Sequence, residues 1–148
     1  MPPNNPIFAA EQYYFFQGHF DIKKFLKLYV TYDLSHLMEN CLFCSIANGT
    51  LESKIIIKEK NWISFWDANP VAPFHALIIP NRHYNSLNEL EDPELYSELI
   101  QGVKKTAQKE NLENGYRIVI NTGTDGGQTV SHLHIHLLGK RKMGWPPG

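Results

Sequence analysis

"SHLHIHLLG", residues 131–139, sets three histidines at every second position with Leu133, Ile135 and Leu137 between them. A β-strand sends successive side chains to opposite faces, so residues two apart share a face. His132, His134 and His136 then line one surface, and the aliphatic residues line the other. A helix would scatter the same imidazoles around its circumference. The apolar set marks the core side, which leaves the imidazoles facing a cleft, a metal or solvent.

The rest of the chain supplies partners for such a strand. "KIIIKE" (54–59), "WISFWD" (62–67), "HALIIP" (75–80) and "YRIVIN" (116–121) are β-rich. Lys60-Asn61 suits a tight hairpin, and Pro80 ends the third strand. With residues 132–138 they make five strands. "EDPELYSELIQGVKKTAQKENLENG" (91–115) is the clearest helix. Asp92 can cap it, Pro93 fits its first turn, and Leu95, Leu99, Val103 and Ala107 form an apolar stripe. "CLFCSIANG" (41–49) reads as a short helix stopped by Gly49. Mostly short links between these elements predict an α+β domain over residues 41–148, with an antiparallel sheet and one main helix. Residues 1–40 read as a separate N-terminal extension packed on that domain. In "DIKKFLKLYV" (21–30), Ile22, Phe25, Leu26, Tyr29 and Val30 follow a helical period behind Asp21, and a second helix is expected around Leu34–Met38.

Composition narrows the class. The chain has 148 residues, a formal net charge of -1, 43% hydrophobic and 20% charged residues. That is ordinary for one folded domain with a sizeable core. Near-neutral charge argues against a nucleic-acid-coating or membrane-attracted surface. No stretch suits a transmembrane helix or signal peptide, so a cytoplasmic location is the expectation. Cys41 and Cys44 are too close to staple a fold. In a reducing compartment a C-x-x-C pair reads as a metal or redox site first.

Four groups of residues carry chemistry. The histidine row admits a solvated face, a shared metal ion or catalysis, because imidazole is both a nucleophile and a proton carrier near neutral pH. "NTGTDGGQTV" (121–130) delivers the chain to that row. Its glycines let backbone N–H groups approach an anion, for which phosphate is the natural candidate, with Asn121 and Thr129 adding hydrogen bonds. Asp67 in "FWDANPVAPFH" can accept from two vicinal hydroxyls, as a ribose presents, or can cap an Asx turn. Cys41, Cys44, His83 and His132 match a tetrahedral structural zinc set by residue type, although their separations are not those of a zinc finger. The alternative there is two buried thiols beside ordinary histidines.

Taken together, these motifs resemble the histidine-triad (HIT) superfamily. "SHLHIHLLG" is similar to its H-x-H-x-H signature, "DANPVAPFHALIIPNRH" to its Asp/Pro/His segment, and "NTGTDGGQTVSH" to its glycine loop. The ending "MGWPPG" resembles the Hint branch, the histidine-triad nucleotide-binding proteins. The resemblance runs from about Cys41 to Gly148. It implies a HIT-like fold whose five-stranded sheet joins that of a second subunit in a homodimer. It also implies hydrolysis of purine nucleoside phosphoramidates and aminoacyl- or lysyl-adenylate-type compounds, derivatives of AMP or GMP. His134 would attack the α-phosphorus to give a nucleotidyl-histidine intermediate, which water then hydrolyses. His136, Asn121, Thr129 and the Gly127 backbone would hold the phosphate beside Gln128, with His75 supporting the catalytic face. Asp67 would bind the ribose, and Leu42, Phe43, Ile46, Phe65 and Ala68 would form the slot for the base. Trp145, in a tail that Pro146 and Pro147 keep out of helix or strand, would lie near the partner's nucleotide cleft. This chemistry requires no catalytic metal, and neighbouring imidazoles help keep the nucleophile neutral.

The sequence departs from the Hint pattern at three places. Thr129 stands where serine is common, Ala68 where isoleucine is usual, and "PNRH" carries one basic residue where two lysines are common. These differences bear on substrate preference more than on chemistry. Two rival readings are a diadenosine-polyphosphate hydrolase of the Fhit type and a dimeric regulatory protein that binds nucleotides without turning them over.

Overall fold

A computed structural model describes residues 41–147; the helices expected at 21–30 and around 34–38 lie outside the described residues. The chain enters through α1 (Leu42–Asn48), where the Cys41 sulfur accepts from the Cys44 N–H and Gly49 ends the helix at φ 83°. A left-handed residue at that position relieves the last turn, and glycine adopts it without steric cost. Strands β1 (Ile55–Lys58), β2 (Trp62–Trp66) and β3 (Phe74–Pro80) follow, then α2 (Pro93–Lys109), β4 (Tyr116–Val119) and β5 (Ile135–Gly139). A 3₁₀ turn at Leu87–Glu89, which the sequence pattern does not announce, leads into α2. The five strands form one sheet in the order β1-β2-β3-β5-β4, antiparallel throughout. The fold class is the one expected.

Strand alternation sorts the core into two layers. Phe74, Ala76 and Ile78 of β3 join Ile135 and Leu137 of β5, Leu133 and the α2 stripe in one cluster. Leu77 and Ile79 of β3 face the other way, onto Ile63, Phe65 and the α1 residues Phe43, Ile46 and Ala47. Every residue of β3 is therefore buried, as suits a strand covered on both faces. Helix α2 is capped by Asp92, whose Oδ1 accepts from the Glu94 and Leu95 N–H groups at 2.9 and 3.3 Å. Leu95, Leu99, Val103 and Ala107 are all buried as the stripe predicts. Gly102 lets the helix approach closely, because a β-carbon there would sit 3.0 Å from the Trp62 ring. The buried Thr106 hydroxyl donates to Ser64 Oγ at 3.0 Å, which satisfies a polar pair between helix and sheet.

Element ends depart from expectation in places that matter. Helix α2 stops at Lys109 rather than near residue 115, and β4 stops at Val119, which leaves Asn121 beyond the strand. Strand β5 begins at Ile135, not at residue 132. His132 and His134 thus precede the regular ladder. The reason lies in their backbone neighbours: the Leu133 N–H is taken by the Tyr84 carbonyl at 2.6 Å, and the His132 N–H by the Val130 carbonyl at 2.8 Å. The alternation of faces nevertheless persists, with Leu133 in the α2 layer and His132 and His134 against Phe43 of α1.

Candidate active site and metal centre

The three histidines do not act as one solvated row. His132 is fully buried, His134 is 3% exposed, and only His136 keeps an intermediate exposure. Each ring is fixed by a different partner, and those partners decide what each nitrogen can do.

His132 Nε2 lies 2.9 Å from the Pro80 carbonyl oxygen. A carbonyl only accepts, so the ring proton sits on Nε2 and Nδ1 keeps its lone pair. That Nδ1 is 3.4 Å from Cys41 Sγ and 3.5 Å from Cys44 Sγ. His83 repeats the arrangement. Its Nε2 lies 3.2 Å from Asn85 Oδ1, and the Asn85 amide is oriented because its Nδ2 donates to Glu89 at 2.7 Å. The Nδ1 of His83 is left 3.3 Å from Cys44 Sγ. A tetrahedral ion with metal–sulfur bonds of about 2.3 Å and metal–nitrogen bonds of about 2.0–2.1 Å has S···N edges of roughly 3.5 Å. The four donor atoms all lie within 4.8 Å of one another. Donor types, spacing and lone-pair direction fit one Zn²⁺-like ion. Burial, aided by the adjacent Cys41, pushes the Cys44 thiol up to about 12, so a cation is what would draw its proton off. Burial also lowers His132 to about 4, keeping its ring neutral.

His134 uses the same residue differently. Its Nδ1 lies 2.7 Å from the backbone carbonyl of His132. The proton is therefore on Nδ1, and in the neutral ring Nε2 holds the lone pair, the state a nucleophile needs. Phe43 packs edge-on against this ring at 5.3 Å between centroids.

At the other end of the row, His75 Nε2 lies 2.9 Å from His136 Nδ1 and 3.3 Å from Asp67 Oδ2. These three groups also lie within ligating distance of one another. The backbone N–H of Val71, however, donates to His75 Nδ1 at 3.2 Å. With that lone pair engaged, neutral His75 carries its proton on Nε2 and donates it toward His136 and Asp67. His136 accepts at Nδ1, so its own proton lies on Nε2, a ready donor to an anionic oxygen. This is a hydrogen-bonded chain, not a second metal site. Burial pushes His136 down to about 4, with His134 and His75 adding to the shift and Asp67 opposing it. Burial likewise lowers His75, against the opposing pull of Asp67. Asp67 Oδ1 accepts from the Asn69 N–H at 2.8 Å, the Asx turn expected as its alternative role.

Other expected residues divide. Phe43, Ile46 and Phe65 come together in one buried cluster, whereas Leu42 and Ala68 are exposed and lie outside it. The glycine loop turns through Gly123 and Gly127 at φ 70° and 73°, and a β-carbon on Gly126 would collide with the Thr122 carbonyl. Asn121 is half-buried, and Thr129 is exposed. The Gln128 side chain spends its donors on the Asn85 and Val130 carbonyls rather than facing a ligand freely. Trp145 is 86% exposed, and Arg117 holds the adjacent Gly144 carbonyl at 2.6 Å. Sequence reasoning missed Pro80, Tyr84 and Val71, which act through backbone groups that carry no side-chain signal. Asn85 was missed as well, although a side-chain amide two residues after His83 is a signal that the sequence carries. No helix among the described residues is long and apolar enough to cross a membrane.

A five-stranded antiparallel sheet with alternate histidines beside a glycine loop defines a histidine-triad protein. The sequence matches the HIT domain over residues 48–143, and the chain belongs to that family. It is 43% identical over 114 residues to an uncharacterized HIT-like protein of Synechococcus elongatus, covering 76% of this chain and all of that one. The crystal structure of a HIT family hydrolase from Legionella pneumophila Philadelphia 1 is similar at 47% identity and a TM-score of 0.71, covering 74% of this chain and all of that one. A histidine triad nucleotide-binding protein from Candida albicans is similar at 32% identity and a TM-score of 0.67, with coverage of 72% and 83%.

Proposed function

We propose that this protein is a nucleotide-binding hydrolase of the Hint type. It cleaves purine nucleoside phosphoramidates and aminoacyl- or lysyl-adenylate-type compounds to the nucleoside monophosphate. The observation that carries this reading is the 2.7 Å contact between Nδ1 and the His132 carbonyl oxygen, which sets the tautomer of His134. Its Nδ1 proton is pinned to the His132 carbonyl, which reserves the Nε2 lone pair for attack on phosphorus. The names of relatives as HIT family hydrolase and histidine triad nucleotide-binding protein agree with it.

In the first step His134 Nε2 bonds to the α-phosphorus as the bond to the leaving group breaks: the phosphorus–nitrogen bond of a phosphoramidate, whose departing amine takes up a proton, or the phosphorus–oxygen bond of an acyl-adenylate, whose leaving group departs as a carboxylate. In the second step water adds to phosphorus and releases His134. His136, donating from Nε2, the Gly127 backbone, Asn121 and Thr129 stabilise charge on the phosphate oxygens. His75 orients His136, and Asp67 takes the ribose hydroxyls with the oxygen that faces His75. Phe43, Ile46 and Phe65 supply the apolar wall for the base, with Leu42 and Ala68 at its rim. Cys41, Cys44, His83 and His132 would hold a structural Zn²⁺, which would bind the two cysteines as thiolates, balance their charge and take no part in the bond changes. Two copies pair through the β4 edge, where Tyr116 and Ile118 are each 43% exposed, and the Trp145 tail reaches the partner's cleft. A cytoplasmic setting suits the reduced cysteine pair.

The test offers adenosine 5′-phosphoramidate and a diadenosine polyphosphate side by side, with rapid acid-free quenching and mass spectrometry. The expected result is preferred turnover of the phosphoramidate and an adenylyl adduct on His134. Preferred cleavage of the dinucleotide would move the protein to the Fhit type. Binding of AMP with no turnover of either would make it a regulatory binder.

A further inference from the structure

One side chain joins the metal-ligand segment to the glycine loop. Gln128 Nε2 donates to the Asn85 carbonyl and, at 2.9 Å, to the Val130 carbonyl. Its Oε1 accepts from the Gly123 N–H at 3.0 Å. Both N–H donors are thereby spent within the protein. Asn85, at the far end of this link, is gripped by Glu89 through its backbone N–H and its Nδ2, each at 2.7 Å. Its Oδ1 accepts from His83, whose other nitrogen faces Cys44. The chain of contacts therefore runs from the Cys44–His83 end of the donor cluster, through Asn85 and Gln128, to Gly123.

We propose that Gln128 is a positioning residue through which a metal ion on Cys41, Cys44, His83 and His132 orders the glycine loop. The loop is a poor candidate for ordering itself, because glycines lose more backbone freedom than any other residue when fixed. Without a cation, His83 is held by weak thiol–imidazole contacts and its hydrogen bond to Asn85. With one, a coordinate bond fixes His83, which fixes Asn85, and the Asn85 carbonyl then anchors the Gln128 amide. An anion arriving at the loop would find the N–H groups already arrayed, so less of its binding energy is lost to ordering. The consequence for nucleotides rests on the function proposed above; the coupling between ion and loop does not.

The test uses the full chain, metal-free and with one equivalent of Zn²⁺, and reads amide hydrogen exchange residue by residue. In the wild type, Zn²⁺ is expected to slow exchange at Gly123 by about five- to tenfold beyond its effect on β3, the size of one net hydrogen bond. In Gln128→Met, Zn²⁺ should bind with unchanged stoichiometry and still protect Phe74–Pro80, while the added protection at Gly123 disappears. Gln128→Glu, which keeps the acceptor for Gly123 and loses the donor to Asn85, should behave like the methionine variant and serves if that one folds poorly. Equal protection of loop and core in wild type and variants would reduce the ion to general stabilisation and overturn the proposal. Failure of the wild type to bind Zn²⁺ would overturn it outright. A second arm measures AMP affinity with and without Zn²⁺, and Zn²⁺ affinity with and without AMP. Linkage requires the two factors to be equal. AMP that fails to bind in every condition removes the nucleotide reading, while the exchange result still decides the coupling.

Discussion

The two ends of the histidine row contain similar material and are built for different work. At one end Cys41, Cys44, His83 and His132 bring sulfur and nitrogen donors together; at the other Asp67, His75 and His136 bring oxygen and nitrogen donors within the same 4.8 Å of one another. The difference lies one bond further out. His132 and His83 direct their Nε2 groups at acceptors, Pro80 O and Asn85 Oδ1, so their Nδ1 lone pairs remain for a cation. His75 has a donor behind it, the Val71 N–H, so its remaining nitrogen must carry a proton. The partner behind the ring, rather than the set of residues around the hole, separates a metal site from a proton-bearing chain.

His134 stands between these ends, and removing it gives the largest expected effect. His134→Ala should lower turnover of an adenosine phosphoramidate by on the order of 10⁶, the scale on which loss of a covalent nucleophile acts. AMP affinity, measured by calorimetry, should change little. Near-normal turnover would end the covalent mechanism and leave the row as a binding surface.

The metal end is tested by Cys41→Ser. Metal analysis of wild-type protein purified without chelator should give close to one zinc per chain, and the variant close to none. Thermal unfolding of the variant should then show the stabilisation lost, about 2.7 kcal/mol at a free zinc concentration a hundredfold above Kd. A zinc content near zero in the wild type would make the two ends alike after all.

The hydrogen-bonded end is tested by pH. Burial holds His136 at about 4, below its ordinary value of 6.5. The folded chain therefore binds fewer protons than the unfolded chain between those values, and stability rises with pH there. The contribution is fully present above pH 6.5 and is lost as pH falls toward 4. NMR titration of the His136 ring should show it neutral at pH 5. An ordinary titration near 6.5 would mean the ring is not held as described.

The smallest effect is expected at the C-terminal tail. A chain ending at Lys142 should stay folded, since Trp145 is exposed and only the Arg117 contact to Gly144 is lost from the described hydrogen bonds of the tail. Its kcat/KM should change by a few-fold, and differently for bulky and small leaving groups, if the tail selects substrates. Identical kinetics across such a series would remove the tail from the site.

Where one side chain interacts with one face, the sequence was legible. Alternation of Leu133, Ile135 and Leu137 with histidines placed both sets correctly, because a period of two is a property of extended backbone whether or not the ladder continues. The α2 stripe was equally readable, since Leu95 to Ala107 follow a single period. The start of β5 was not, because it depends on Tyr84 capturing the Leu133 N–H, a contact between backbone groups distant in sequence. For the same reason the division of labour in the row was only half legible. Residue types pointed to four zinc donors, but which ring nitrogen is free is set by Pro80 and Asn85. Gln128, read as a nucleotide contact, also donates to the Asn85 and Val130 carbonyls, contacts that no motif records.

Val71 has an unusual place in mutational terms. The residue is 66% exposed, yet its backbone N–H, by donating to His75 Nδ1, fixes the proton on the other ring nitrogen. A scan through this position would see an apparently indifferent site, tolerant of large, small, charged and apolar residues alike. One substitution would stand apart. Proline alone lacks the N–H, and position 71 already lies between Pro70 and Pro73 in a segment where a further proline looks innocuous. The information held at Val71 is therefore a prohibition rather than a preference, the kind that an average over amino-acid types conceals.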